Sequence, residues 1–210
     1  YRVRVLDWLS GEPQLKTILG GLTPCLSVDA CGFDGVAGAA TFSAPRALAQ
    51  DQSGNIYVSD LGLGVIVKHN AEDGTTVIVG GEEAGSAQAS NTEPLHTRLD
   101  GPEDAVFSPD NELYFVDTQN HLVRKLRADG VIENVAGTGV ACANPAALLK
   151  PCGDGGEALA AQLNTPTSIA FDSEGSLYIA DAGSFRIRKV GQDQKIITTL
   201  VGNGQMCPAK

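Results

Sequence analysis

One segment of the sequence concentrates residue types that carry out acid–base chemistry. Residues 114–126 read YFVDTQNHLVRKL, so His121 lies within four residues of Asp117 on one side and of Arg124 and Lys125 on the other. Histidine is the side chain most often used as a general acid or base near neutral pH, so this cluster suggests a reactive site. A catalytic cluster is usually made once in a chain, whereas a structural unit recurs. Repetition of the pattern therefore separates the two interpretations.

The pattern recurs along the chain. Residues 99–126 and 163–190 align without a gap, and residues 42–69 align as a third copy. Residues 1–7 match residues 185–191, so the chain opens inside a further copy. The recurring positions are the tyrosines Tyr57, Tyr114 and Tyr178, the aspartates Asp60, Asp117 and Asp181, and the arginines Arg124 and Arg188. An internal repeat of this length indicates a propeller or a solenoid.

Each copy contains four short stretches that are typical of β-strands. In the last copy they read SIAF, LYIA, FRIRKV and IITTLVG, separated by turn residues such as Asp172, Gly175 and Gly183. A four-stranded antiparallel sheet cannot bury both of its faces alone, and radial stacking of such sheets around an axis gives a β-propeller. Solenoid repeats are commonly shorter, with one or two strands each. The sequence therefore predicts an all-β propeller, with about three and a half four-stranded antiparallel blades in this chain.

The repeat also resembles a known family. The last copy fits P-x-x-I-A-x-D-x-x-G-x-L-Y-I-A-D-x-x-x-x-R-I-R-K-V, which is similar to the NHL repeat, and residues 120–122 spell Asn-His-Leu. The linker CGDGGEALAAQL is most similar to those of secreted or ectodomain NHL propellers such as those of teneurins. The copy at 42–69 departs from the pattern, because its third strand, GVIVKH, lacks both arginines. NHL propellers usually have six blades, so the resemblance implies that further blades complete the ring.

The repeat boundaries divide the chain into five parts. We expect a partial blade of outer strands at 1–24, a blade that begins with a cystine loop at 25–81 and a blade at 82–139. A second blade with a cystine loop follows at 140–204, and 205–210 would begin a missing linker or blade. An open arc exposes strand edges, which native proteins avoid. Either the missing blades belong to the same polypeptide or the arc completes itself by association.

The alignment assigns structural roles to the residues of the opening cluster. His121 aligns with Phe185 and with Gly64, so no shared chemistry requires an imidazole at this position. The recurring aspartates follow a strand at a turn, where aspartate accepts backbone hydrogen bonds. We expect Arg124 and Arg188 to pair with such carboxylates across neighbouring blades. The sequence predicts no catalytic residue, no metal ligand and no cofactor.

Four cysteines form two closely spaced pairs in equivalent places. Cys25 and Cys31 flank LSVDA, and Cys142 and Cys152 flank ANPAALLKP, each pair following a fourth strand and its glycines. Two local disulfides are the natural interpretation, and they imply an oxidising compartment. The alternative is zinc, which usually requires tighter pairs and additional ligands.

The fifth cysteine repeats the same context. Cys207 follows LVGNGQM, as the first cysteine of each pair follows a similar glycine-containing stretch. We expect it to be the first half of a third loop disulfide with a partner beyond Lys210. A free or intermolecular thiol is the alternative.

Composition limits the classes of function. The formal net charge is −10, and 25 glycines with few aromatic residues suit a turn-rich β protein. No apolar run approaches the ~20 residues that a membrane-spanning helix requires, so we expect no membrane insertion in this segment. The negative charge opposes nucleic-acid binding, which depends on clustered Lys and Arg. The leading hypothesis is an extracellular or cell-surface module for protein interaction, adhesion or structure, with a protein partner or self-association.

An enzyme with its site in missing blades is the alternative hypothesis. Some six-bladed relatives of NHL proteins are hydrolases or lyases that use an axial metal, and the three histidines His69, His96 and His121 occupy non-equivalent positions. Neither G-x-S-x-G nor H-E-x-x-H occurs in the sequence. Calcium binding stays open, since the acidic turns do not match the D-x-[DN]-x-[DN]-G loop. Trp8, the only tryptophan, is either a contact anchor or a packed turn residue.

Overall fold

The structure is a computed structural model that describes residues 2–7, 13–27, 31–33, 35–36, 40–81, 97–144, 146, 151–193 and 195–206. These residues form short strands joined by turns, with single 3-10 turns at Pro151–Gly153, Ala158–Ala160 and Ala182–Ser184. The strands are β1 (Arg2–Asp7), β2 (Gln14–Gly20), β3 (Gly35–Val36), β4 (Pro45–Gln50), β5 (Ile56–Asp60), β6 (Val65–His69), β7 (Thr75–Gly80), β8 (Pro102–Phe107), β9 (Leu113–Asp117), β10 (Leu122–Leu126), β11 (Ile132–Ala136), β12 (Gly156–Glu157), β13 (Pro166–Phe171), β14 (Leu177–Asp181), β15 (Arg186–Val190) and β16 (Ile196–Val201).

The strands form four consecutive antiparallel sheets. We name them blade 1 (β1–β2), blade 2 (β4–β7), blade 3 (β8–β11) and blade 4 (β13–β16), and in each one consecutive strands are neighbours. The short strands β3 and β12 come from the linkers and add a fifth strand outside β7 and β16. The prediction of an all-β partial propeller with four-stranded antiparallel blades is confirmed.

The same irregularity marks the third and fourth strands of every blade. The pairing shifts by one residue between Ile66 and Val67, between Val123 and Arg124, and between Ile187 and Arg188. The β1–β2 pair has the same shift between Val3 and Arg4. A β-bulge, here at the equivalent place in each blade, bends the strand and increases its twist. Strands β1 and β2 are therefore the third and fourth strands of a blade, as the match of residues 1–7 to residues 185–191 predicts.

Aromatic pairs join neighbouring blades. The ring of Tyr57 on β5 packs edge-to-face on Phe107 of blade 3, with ring centroids 5.1 Å apart. Tyr114 packs in the same way on Phe171 of blade 4, at 4.8 Å. Such a pair stabilises the folded state by about 0.5–1.5 kcal/mol beyond the free energy of burying the two rings. Tyr57 and Tyr114 therefore each join their own blade to the next one.

The two flanks of the arc expose positions that are buried inside it. Ile187 of blade 4 is 36% exposed, whereas the equivalent Val123 of blade 3 is fully buried. At the other flank, Leu48 of blade 2 is 57% exposed and the equivalent Ala105 is buried. The repeat thus places apolar side chains on faces that adjacent blades cover.

Candidate functional site

The loops before each first strand and after each second strand meet at one end of the arc, which we call the loop end. In blade 2 they are joined by Asp60, whose carboxylate accepts backbone hydrogen bonds from Ser43 (2.7 Å) and Ala44 (2.9 Å) before β4. It also accepts hydrogen bonds from the N–H groups of Gly62 (3.0 Å) and Leu63 (3.1 Å) after β5. Four backbone donors converge on one buried carboxylate, so the aspartate fixes both loops in position.

In blade 3 the equivalent aspartate is part of a buried ion pair. Asp117 accepts a hydrogen bond from the backbone N–H of Asp100 at 2.7 Å and from the Asn120 side chain at 2.9 Å. The Arg124 Nε lies 2.9 Å from Asp117 Oδ2, and neither side chain is exposed to solvent. Burial raises the pKa of Asp117 to about 6, against the opposing attraction of Arg124. Burial likewise lowers the pKa of Arg124, against the opposing attraction of Asp117.

Blade 4 adds a linker residue to the same arrangement. Asp181 accepts a hydrogen bond from the backbone N–H of Asn164 at 2.6 Å, and Arg188 Nη1 lies 3.5 Å from its Oδ2. Arg188 Nη2 lies 3.1 Å from Oδ1 of Asp154, which belongs to the Gly-Asp-Gly-Gly linker. Burial raises the pKa of Asp181 against the opposing effects of its hydrogen bonds and of Arg188. The buried guanidinium therefore joins the blade to its own linker.

These ion pairs lie within blades, so the prediction that Arg124 and Arg188 pair across neighbouring blades is wrong. The reason is the strand register: Leu122 is opposite Asp117, and Ile179 is opposite Arg188. Each arginine is thus a diagonal neighbour of the aspartate on the adjacent strand of the same sheet. The contact of Asp154 was missed altogether. The sequence offered one indication of this contact: the Gly-Asp-Gly-Gly linker, which contains Asp154, directly precedes the blade that contains Arg188.

His121 has a structural contact between blades. It adopts φ = 55°, and the aligned residues Gly64 and Phe185 also have positive φ values, of 66° and 51°. The His121 Nδ1 accepts a hydrogen bond from the backbone N–H of Thr165, at 3.0 Å, in the loop that leads into blade 4. An Nδ1 that accepts this bond carries no proton. The imidazole therefore serves as a neutral acceptor between two blades, in agreement with the structural role that the alignment predicts.

We expect the stability that His121 contributes to disappear in mild acid. Burial lowers the pKa of His121, with Asp181 opposing the shift, so the unfolded chain binds the proton more readily than the folded chain. This contribution is complete above the unfolded pKa of about 6.5 and is lost as the pH falls below that value and through the lowered pKa of the folded state. Loss of the hydrogen bond is worth about 1 kcal/mol, or about 3 °C in Tm.

The measurement compares Tm at pH 7.5 and pH 5.5 for the natural chain and for His121→Asn. Asparagine tolerates the positive φ of this turn but does not titrate. Asp117 has a raised pKa and acts in the opposite direction, because a raised carboxyl pKa favours the folded state at lower pH. Both proteins contain Asp117, so its effect cancels when the Tm change of the variant is subtracted from that of the natural chain. The natural chain should lose more Tm than the variant, and parallel pH profiles would contradict the assignment.

Two cystines stiffen the loop end. Cys25 is bonded to Cys31 and Cys142 to Cys152, and each pair has a Cα–Cα distance of 5.5 Å, within the usual disulfide range. Both loops are attached to the chain in the same way. The backbone hydrogen bonds are Cys25 N–H to Phe42 O (3.0 Å), Thr41 N–H to Cys31 O (2.8 Å), Cys142 N–H to Leu163 O (3.0 Å) and Gln162 N–H to Cys152 O (3.0 Å). Loops of different length thus share one anchorage, directly before the first strand of a blade.

Apolar side chains project from these anchored segments. Leu22 and Leu26 beside the first cystine are 82% and 90% exposed, and Val140 before the second is 53% exposed. Cys25 and Cys31 are themselves buried against Phe33 and Phe42 in a core that also includes residues of blades 1 and 2. The leucines are therefore exposed on a segment whose base is fixed. The exposed side chains of Leu22 and Leu26 define the cystine-loop surface, which is the candidate interaction site.

Several sequence predictions fall outside the described residues: those for Cys207, Trp8 and His96. Of the other histidines, His69 ends β6 and lies opposite Ile56 and Thr76. Within the described ranges, no group of three or more His, Cys, Asp or Glu side chains is arranged to hold a metal ion. The part of the chain that the structure describes also contains no helix with the length and apolar character needed to cross a bilayer.

The radial four-stranded blades, the recurring strand-end aspartates and the Asn-His-Leu turn define an NHL-type β-propeller segment. Within that class, the model of the teneurin NHL domain family matches residues 10–150 and 147–210. The chain belongs to this family. The sequence resemblance to NHL propellers of the teneurin type is thereby confirmed.

Individual relatives agree with the family assignment. The chain is 30% identical to human teneurin-1 over 205 residues, covering 94% of this chain and 7% of the relative. It is 26% identical to mouse teneurin-4 over 257 aligned residues, covering 88% of this chain and 9% of the relative. The chain therefore spans less than a tenth of the length of these curated relatives.

Solved structures share the fold. The structure of a nidogen/laminin complex matches 96% of this chain and 59% of the matched chain, with a TM-score of 0.58 and 14% identity. A gluconolactonase from Xanthomonas campestris matches 77% of this chain and 48% of the other, with a TM-score of 0.51 and 11% identity. At these identities the likeness describes the propeller fold and carries no activity to this chain.

Proposed function

We propose that this chain is an interaction module of a larger protein, located outside the cell or at its surface, and that it binds a protein partner or a second copy of itself. The observation that carries the proposal is the exposure of Leu22 and Leu26 on a segment anchored by a buried cystine. Apolar side chains on a preordered loop lose little conformational entropy when a partner covers them. Contacts of this kind are the energetic centres of protein interfaces.

The location rests on the cystines and on family membership. Two disulfides in one short chain suit an oxidising compartment, since thiols in the cytosol are kept reduced. The cystines lie in the linkers that lead into blades 2 and 4. An oxidising compartment would therefore keep the disulfide that anchors Leu22 and Leu26 intact.

The other classes of function have weaker support. The buried carboxylates Asp60, Asp117 and Asp181 are engaged by backbone donors or arginines, which is a structural use of acidic groups. A net charge of −10 disfavours a nucleic-acid partner, whose phosphates require clustered cations. The resemblance of fold to a gluconolactonase supplies no catalytic residue in this chain. We therefore place recognition of proteins ahead of catalysis.

The experiment changes the exposed leucines in the full polypeptide that carries this chain. The double variant Leu22→Asp with Leu26→Asp places charges on the cystine-loop surface without touching the buried cystine. Leu159→Asp is the matched control, because Leu159 is 56% exposed on a 3-10 turn outside this surface. Truncation of interface anchors commonly costs 2 kcal/mol or more, so we expect at least a tenfold loss of binding.

Binding is measured by clustering of beads that display the protein, alone and mixed with beads that display candidate extracellular proteins. Clustering of one bead type indicates self-association, and clustering of mixed beads alone indicates a different partner. Both results should be sensitive to the leucine variant and insensitive to the control. Equal clustering of the leucine variant and the natural protein would refute a role for this surface.

A further inference from the structure

The segment that follows the last strand of blade 4 contains the single Asn-Gly dipeptide of the sequence, at residues 203–204. Asn203 is exposed, and its Oδ1 accepts a hydrogen bond from the backbone N–H of Gln205 at 3.0 Å. In blade 3 the equivalent residue is Thr138, whose Oγ1 accepts a hydrogen bond from the N–H of Val140 at 3.3 Å. This turn therefore uses a side-chain oxygen and does not require an amide.

The exposure of Asn203 is a property of its place in the repeat. Thr138 is also exposed, although a linker and the whole of blade 4 follow it in the chain. A side chain at this position of the strand-end turn thus faces solvent inside the arc as well as at its flank. Water has access to the amide of Asn203 for the same reason.

An asparagine amide is an electrophile for the backbone nitrogen of the next residue. When that nitrogen attacks Cγ, a five-membered succinimide closes and the side-chain nitrogen leaves as ammonia. Gly204 hinders this approach least, because it has no Cβ. Among the described residues, the N–H of Gly204 donates to no backbone or side-chain acceptor. The N–H of Gln205 meanwhile contacts the oxygen on which negative charge develops during the attack, an arrangement that stabilises an oxyanion.

Asn70 has the same turn without a reactive nitrogen. Its Oδ1 accepts a hydrogen bond from the N–H of Glu72 at 3.0 Å, as the Oδ1 of Asn203 does from Gln205. The next residue is Ala71, whose Cβ hinders the approach and whose N–H is donated to Oδ1 of Asn55 at 3.0 Å. The two asparagines therefore share the activating contact and differ in the nitrogen that would react.

We propose that Asn203 is a self-modification site, at which the backbone nitrogen of Gly204 displaces ammonia from the side chain without an enzyme. The nitrogen gives its proton to solvent, and Nδ2 leaves as ammonia after gaining a proton, so no group is oxidised or reduced. Water then opens the succinimide. Cleavage of the bond between nitrogen and Cγ gives aspartate, and cleavage at the backbone carbonyl gives isoaspartate, whose main chain is one methylene longer.

The modification changes the charge of the loop end. Both products replace a neutral amide with a carboxylate, in the turn that follows β16. The equivalent turn of blade 1 follows β2 and contains Leu22 of the cystine-loop surface. Since the reaction consumes only water, its extent increases with the age of the protein. The site therefore adds a negative charge to the loop end of blade 4 with time.

Peptide mapping of the full polypeptide that carries this chain tests the proposal, after incubation at pH 7.4 and 37 °C in water enriched in oxygen-18. Opening of the succinimide places one heavy oxygen in the new carboxyl group, so only modification that occurs during the incubation is counted. We expect Asn203 to react about tenfold faster than Asn70 or more, because a factor of ten needs only a small difference in activation free energy. Both aspartate and isoaspartate should form at position 203.

The same incubation in concentrated urea separates the effect of the fold from that of the dipeptide. Asn203 should react at least as fast in the folded protein as in urea, whereas Asn70 should react more slowly when folded. Asn203→Thr is the control, because Thr138 makes the equivalent contact in blade 3. It should leave Tm unchanged and remove the heavy oxygen from the peptide. Slower reaction of Asn203 in the folded protein than in urea, or equal rates for Asn203 and Asn70 when folded, would overturn the proposal.

Discussion

Replacing Arg124 with methionine is expected to lower the free energy of unfolding by about 3–5 kcal/mol, the cost of removing one partner from a buried ion pair. Arg124 and Asp117 are both fully buried, with Nε and Oδ2 2.9 Å apart. Methionine occupies part of the volume but donates no hydrogen bond. The carboxylate of Asp117 then keeps the backbone donor of Asp100 and the amide of Asn120, with no cation beside it. An uncompensated buried charge is the source of the expected loss.

The measurement is urea unfolding at pH 7.5, where Asp117 is ionised. Arg127→Met is the matched control, because Arg127 is 43% exposed in its pair with Asp129 and a surface pair contributes about 0–1 kcal/mol. Combining Arg124→Met with Asp117→Asn should cost less than the sum of the two single changes, since the double variant has no buried charge left. A loss for Arg124→Met as small as that for Arg127→Met would show that the pair is not the stabilising contact described.

Blade 2 shows why the repeat tolerates the absence of this arginine. Val67 occupies the position of Arg124, and the aspartate Asp60 is retained. Its carboxylate accepts four backbone hydrogen bonds from the two loops it joins. Several backbone donors can satisfy the hydrogen-bonding capacity of a buried carboxylate without a cation. The aspartate is thus common to the loop ends of blades 2, 3 and 4. Its carboxylate is bonded either by backbone donors alone, as in blade 2, or by backbone donors together with an arginine.

The repeat made the fold predictable because the same residues recur at the same offsets. The alignment of residues 1–7 with 185–191 was enough to place β1 as a third strand, and the shared β-bulge agrees with it. The interaction partners of individual side chains were harder to predict. Asp117 and Arg124 are seven residues apart, and only the hairpin register shows that they are diagonal neighbours on one face. The alignment reveals recurrence, but the partner of each side chain depends on the register and on the bulge.

Features that occur once, or in very short segments, could not be predicted from the repeat. Strands β3 and β12 contain two residues each, which is too short for any periodic signal. His121 Nδ1 and the Thr165 N–H that bonds to it are 44 residues apart in the sequence and belong to two different turns, so no local pattern predicts the contact. The cysteine spacing, in contrast, depends only on local loop closure. The structure places both predicted pairs at disulfide distance.

Replacing Gly137 with alanine is expected to lower the free energy of unfolding by about 3 kcal/mol, combining the cost of a left-handed alanine with that of a backbone overlap. Gly137 follows β11 with φ = 101°, and a Cβ on it would lie 2.4 Å from the carbonyl oxygen of His121. The equivalent glycines Gly81 and Gly202 would meet Gly64 O and Phe185 O at 2.1 and 2.2 Å. In blades 2, 3 and 4 the fourth strand thus ends against the turn before the third strand, at a distance that only glycine permits.

Gly74→Ala is the control that separates the two costs. Gly74 also has a positive φ, of 70°, but a Cβ there would have no atom within 4 Å. It should lose about 1 kcal/mol, the penalty for alanine in a conformation that glycine adopts freely. Urea unfolding of both variants gives the comparison, and equal losses would mean that the close approach is relieved at no cost. Because the carbonyl of His121 belongs to the turn that also contacts Thr165, Gly137→Ala should weaken the effect of His121→Asn when the two are combined. Such coupling would show that the strand-end glycine positions the turn that joins blade 3 to blade 4.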